Sequence, residues 1–332
     1  MLAVALGALP FAATAQTVRL DAIDERLARS DMAGAADLLA RVSTVDDMLT
    51  LITLRRYDPL IGEQDRLALL TRAIAQEDRR TAEAAERSPQ DLRVVLDRAT
   101  FLLGQARNRD AYVLLEPFAR DIPATVRRAE EGVFLVNYAA YALLKLGRPN
   151  EGVALSAALS AIPITDTPAL ISARINHSSM LRHVGRNADS LAHATGLNNQ
   201  IAQYATAYGR MWILSNAICA MERLDRRDEI NSLLRRLWRG RDDNPEALTR
   251  AYLCMGDLDA AEELIVRRLR AGDADARRLV RSFQTYQLGG SIDDVVEGRF
   301  AEIRDRPAVR AALDRVGRIL SLPLDGTYWR RT

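Results

Sequence analysis

The sequence predicts an all-α chain, a stack of helical hairpins forming an α-solenoid, on three observations. Apolar residues recur at helical spacing over most of the 332 residues, as in RAYLCMGDLDAAEELIVRRL at 250–269. The same outline, two short helices joined by a tight hinge, returns at 26–39, 101–115, 141–155, 179–194 and 220–234. Ala, Leu and Arg dominate these segments, and no alternating β pattern of useful length occurs. One such hairpin cannot bury its apolar face alone, whereas stacked neighbours share a continuous core.

Taken in order, the chain opens with MLAVALGALPFAATAQ, whose apolar run from Leu2 to Ala13 ends at Ala13-Thr14-Ala15. The run is too short to span a bilayer, and the small-x-small ending predicts a signal peptide over 1–15, cut before Gln16, although no Lys or Arg precedes it. A repeat domain is expected over 16–290, with capping helices and a tail over 291–332. In the first hairpin Leu20, Ile23, Leu27, Ala35, Leu38 and Leu39 share one face. The stretch 43–87 fits the pattern least. It is expected to break at Tyr57-Asp58-Pro59, because a proline disfavours helical geometry in the residue before it, and to resume as a long charged helix over 65–86. From Pro89 the hairpins run consecutively, with Asp121, Asp242, Asp243 and Asn244 in the connecting turns where caps belong. A helix is expected over 273–287, broken by Gly289-Gly290-Ser291, and an amphipathic cap over 306–320 that turns Arg310, Asp314, Arg315 and Arg318 to water.

The hinges fall at Ser30, Ala106, Gly147, Gly185, Asp225 and Gly256. Five residues after each stands Ala35, Ala111, Gly152, Ser190, Ile230 or Ala261, small in all but Ile230, and Pro89, Pro123, Pro163 and Pro245 fall near unit boundaries. With spacings of 41, 38, 40 and 31 residues between the later hinges, this pattern resembles the tetratricopeptide repeat family over roughly 17–271, at a spacing longer than that family's. Early first-helix aromatic and Gly positions of the family are mostly absent. The resemblance implies a right-handed solenoid whose first helices line a concave groove that binds protein or peptide. Carried over position by position, it implies Asn137, Tyr141, Ser179, Arg182, Trp212 and Arg250 as groove residues. The family's lysine- and asparagine-based clamp for a terminal carboxylate is not matched. Residues turned to an open groove, Tyr141 and Arg182 among them, are expected to cost little stability when replaced.

Catalytic templates fail. Lys145, the lone lysine beside 45 arginines, sits between leucines, so no phosphate-binding loop ends on it; no dinucleotide-type glycine fingerprint and no Gly-x-Ser-x-Gly elbow occurs. The arginine bias fits a G+C-rich bacterial genome. Arginines interleave with acids at helical spacing and the net charge is only +2, which argues against nucleic acid. His177 and His183 fall on different helix faces, so no metal or other cofactor is expected. Cys219 and Cys254 occupy first helices of successive repeats and have two readings: a disulfide, or two buried thiols. Tyr204, Tyr208 and Trp212, four apart, form a stripe expected to pack inward, with an exposed platform beside Arg210 as the other reading.

The functional expectation is an exported, non-enzymatic interaction scaffold, periplasmic or secreted, that binds a protein or peptide without a stable membrane span; without cleavage of the leader it would be cytoplasmic. The second is an envelope enzyme, or the helical domain of one, acting on a glycan or peptide through groove carboxylates. A purely structural subunit is the third.

Overall fold

The computed structural model describes residues 20–164, 167–200, 204–272, 274–289 and 292–329; the signal peptide expected over 1–15 lies outside them. Among these residues the chain is all-α apart from one short strand pair. The helices are α1 (Leu20–Ala28), α2 (Met32–Ala40), α3 (Val45–Thr53), α4 (Asp58–Ile61), α5 (Arg66–Arg87), α6 (Leu92–Gly104), α7 (Asn108–Arg120), α8 (Ile122–Arg128), α9 (Glu131–Lys145) and α10 (Pro149–Ser160). There follow α11 (Ala169–His183), α12 (Asn187–Gln200), α13 (Ala207–Arg223), α14 (Arg227–Arg239), α15 (Pro245–Met255), α16 (Leu258–Ala271) and α17 (Ala274–Ser282). The chain ends with β1 (Thr285–Leu288), α18 (Asp294–Arg304), α19 (Pro307–Val316), β2 (Ser321–Asp325) and α20 (Gly326–Trp329).

Each hinge read from the sequence is a left-handed residue. Ser30, Ala106, Gly147, Gly185, Asp225 and Gly256 have φ between 56° and 79°. At every one the hinge N–H donates to the carbonyl three residues back, and the next N–H to the carbonyl five residues before it, as in Gly147→Leu144 and Arg148→Leu143. This paired closure consumes carbonyls that a helix end otherwise leaves unbonded. The following position starts the second helix in one of two ways. Asp31 and Asp257 accept from the backbone N–H of Gly34 and Ala260. Arg107, Arg148, Arg186 and Arg226 instead pair with the acid three residues on, Asp110, Glu151, Asp189 and Glu229, at 2.6–2.8 Å. These pairs are exposed and screened by solvent, so they mark the helix start more than they stabilise it.

From α6 onward each first helix packs on its own second helix and on the next first helix: α9 on α10 and α11, α11 on α12 and α13, α13 on α14 and α15. The residues five after the hinge are buried where the two helices of a hairpin cross. A Cβ added at Gly152 would stand 2.6 Å from the Ala140 carbonyl oxygen, so this crossing admits no larger side chain without a shift. Cys219 on α13 and Cys254 on α15 are joined by a disulfide, with Cα atoms 5.1 Å apart. Closing that 35-residue span removes denatured-state entropy worth on the order of 4 kcal/mol.

Three details depart from the sequence reading. Asp58 is helical (φ −56°, ψ −41°), and the break falls at the extended Leu54 (φ −92°, ψ 130°), so Pro59 begins a new helix where its missing N–H costs nothing. The helix expected over 273–287 stops at Ser282: the Gln284 amide donates to the Val280 and Arg318 carbonyls, and β1 pairs in parallel with β2. Residues 322–329 are also no loose tail. Leu322 and Leu324 are fully buried, and the Trp329 indole N–H donates to the Gly104 carbonyl at 3.0 Å, across 225 residues of sequence.

Elements late in the sequence pack on α3 and α4. Arg281 pairs with Asp46 and donates to the Asp46 carbonyl and Thr50 hydroxyl, while the Arg318 N–H donates to Thr53 O and its guanidinium pairs with Asp58. The hinge geometry gives a direct test. Ala106→Gly should raise stability by about 0.5–1 kcal/mol, and Gly147→Ala, whose new Cβ would meet nothing within 4 Å, should lower it by about 1 kcal/mol. Denaturant melts giving both changes the same sign would contradict the backbone argument.

Candidate binding face

First helices α9, α11, α13 and α15 carry the six residues read as groove-lining, and all six are buried. The expectation of cheap, partly exposed positions therefore needs correction for Tyr141 (0% exposed) and Arg182 (5%). The physical reason is that the chain returns across this face. Ile292 packs on the cluster of Ala140, Tyr141, Val153, Met180 and Leu181, and α18 packs on α15.

The centre of this arrangement is Asp293. Arg182 pairs with one of its carboxylate oxygens, Arg250 approaches the same oxygen at 3.5 Å, and Arg223 reaches the other at 3.1 Å. These arginines come from α11, α15 and α13, three successive first helices. The carboxylate also accepts the Val296 N–H as the N-cap of α18. Burial opposes ionisation of Asp293, but the Arg182 and Arg250 guanidinia outweigh it and hold the carboxyl well below the usual carboxylate range. Burial and the neighbouring Arg182 pull Arg250 down to about 10. His183, whose ring nitrogen lies 3.0 Å from an Arg182 nitrogen, is driven far towards neutrality by burial and by that guanidinium. A second link lies at the end of α9, where Lys145 stands 3.6 Å from Asp325 of β2.

The remaining residues read as groove-lining lie on the same first helices. Ser179 donates to Asn216 Oδ1, whose amide donates to the Ile175 carbonyl. Trp212 packs edge-on to Tyr208 with centroids 6.4 Å apart, and the Tyr208 hydroxyl donates to Glu246. Asn137 makes no side-chain hydrogen bond among the described residues, nor does the Tyr141 hydroxyl. Tyr204 stands apart, 58% exposed and ahead of the α13 N-cap, so the aromatic stripe is two residues long.

Sequence reasoning missed Asp293 and Arg223. Their partners lie 111, 70 and 43 residues away, beyond any window that periodicity can read. Among the described residues no group of three or more metal-capable side chains occurs, and no helix is long and apolar enough to cross a membrane. His177 and His193 meet edge to face at 4.9 Å, with His177 lowered to about 4 by burial and by His193. Away from this face, Glu77 of α5 accepts the Val45 N–H at the start of α3, and burial pushes it up to about 7.

The two acids make opposite predictions. Asp293→Asn leaves buried arginines without their counter-charge and should cost about 3–5 kcal/mol near neutral pH. Because the folded Asp293 pKa is depressed, its contribution is present above the unfolded value of about 3.9 and lost as pH falls, so wild type and variant should converge in acid. Glu77 is raised; its contribution is present below about 4.3 and lost as pH rises towards about 7. Melts across pH 4–8 should show that decline in wild type and its absence in Glu77→Gln; a flat wild-type profile would contradict the assignment.

Comparison with family models, curated proteins and solved structures finds no match for this chain.

Proposed function

We propose that the chain is a TPR-like right-handed α-solenoid of bacterial origin, exported from the cytoplasm, that acts without catalysis as an interaction scaffold whose concave face holds a protein segment through a carboxylate. The observation that carries this reading is the convergence of Arg182, Arg223 and Arg250, one from each of three successive first helices, on a single carboxylate. Planar guanidinia recognise carboxylates directionally, and burial strengthens the bond. Here the chain's own Asp293 fills that place. Six repetitions of one hinge geometry, with each first helix packed on the next, support the solenoid. A disulfide between α13 and α15 supports an oxidising compartment, since cytosolic thiols are kept reduced. The enzyme reading needs acids that exchange protons across a cleft, whereas the acid of this face is held ionised between arginines.

Two measurements test it. N-terminal sequencing of protein made from the full reading frame should begin at or near Gln16; an intact Met1 removes export. For the face, Asp293→Ala removes the carboxylate but leaves Ile292 and α18 in place, and added formate or acetate should then raise the melting temperature of this variant by more than that of wild type. That rescue should be lost once Arg182→Gln is added. Equal shifts in all three proteins would show that the arginines do not hold the carboxylate.

A further inference from the structure

Helix α14 carries a wider apolar stripe than the chain covers. Ile230 and Leu237 are buried, but Leu234 is only half-buried, and Trp238, four residues on, remains 42% exposed. Beside them run Arg235 and Arg239, also four apart, exposed and in no ion pair among the described residues. Like charges at that spacing weaken a helix slightly, and Trp238 keeps 42% of its surface in water, so folding of α14 leaves part of both stripes unused. With Asn231 and the mostly buried Tyr252 of α15, these residues line an open groove of about 380 Å³. No carboxylate lines it. Arg241 and Arg267 lie 5.0 and 5.8 Å from the Trp238 ring centroid and hold the indole in place, while the disulfide at Cys254 fixes α15 to α13 beneath. Acids stand at the edge, with Asp242 beside Arg241 and with Asp257 and Glu263 acting on the Tyr252 hydroxyl.

We infer that this groove is a docking site, separate from the Asp293 cluster, for an acidic amphipathic helix of a partner protein. Its apolar residues, four apart, would seat on Leu234 and Trp238, and its flanking carboxylates would pair with Arg235 and Arg239. Charge complementarity selects this occupant, and Trp, Tyr and Arg are the residue types that dominate binding energy in such patches.

The probes are two labelled synthetic helical peptides with Leu and Phe four residues apart, one flanked by Glu and the other by Lys, followed by fluorescence anisotropy on the oxidised protein. The Glu peptide should bind, more weakly as salt rises, and Trp238→Ala should weaken it about thirty-fold or more. The double variant Arg235→Glu/Arg239→Glu should lose the Glu peptide and gain the Lys peptide. Both variants change exposed side chains, and unchanged melting curves show that the fold is intact. Equal binding of the two peptides, binding of neither, self-association of wild type lost in Trp238→Ala, or attachment to phosphatidylglycerol vesicles in place of the Glu peptide would each overturn the assignment.

Discussion

The buried carboxylate of Asp293 is the constraint on which the rest of the architecture depends. A charge removed from water costs several kcal/mol unless it is met by opposite charge and hydrogen bonds, so the segment that carries it is stable in one place only, between Arg182, Arg223 and Arg250. The arginines are constrained in turn: without the acid, Arg182 and Arg250 would be like charges buried side by side. One ion cluster therefore ties α11, α13 and α15 together and fixes the start of α18, since Asp293 is also its cap. Around it the C-terminal elements reach α6 through Trp329, α9 through Lys145 and Asp325, and α3 through Arg281. These contacts are polar and directional, which gives the closure register as well as stability.

The hairpins rest on a different and more local device. A left-handed residue ends each first helix, and its two backbone hydrogen bonds reverse the chain whatever side chain it carries. Glycine is the least strained choice, yet Ser30, Ala106 and Asp225 occupy the same geometry, which is possible because tertiary packing of the two helices outweighs a local cost of about 1–2 kcal/mol. Specificity then comes from the crossing point, where Gly152 admits no Cβ and Ala35, Ala111 and Ala261 are completely buried. The disulfide adds a covalent tie between two first helices that already touch.

That division explains what could be read from the sequence. The hinges were legible to the residue because a reversal needs signals only within about ten positions, and helix content followed from apolar spacing. The candidate face was legible as a set of positions, since repeat alignment places Tyr141, Ser179 and Arg250 six residues before their hinges, but its burial was not. Burial there depends on Ile292 and Asp293 returning from far along the chain, and nothing near Arg182 announces a partner 111 residues away. The stop after Ser282 escaped for a similar reason: the hydrogen bonds that end the helix come from Arg318 and β2. At Asp58 a local rule about proline was sound as a bias, but it was outweighed by a new helix start.

The C-terminal segment belongs to the helical array as firmly as the hairpins do. Native-state hydrogen exchange tests it directly, by comparing the amides of α18 from Phe300 to Ile303 and the Trp329 indole N–H with the amides of α15. All three groups should open with the same free energy, and protection of α18 and Trp329 should be as deep as that of α15. Rapid exchange in α18 and Trp329 while α15 stays protected would contradict it.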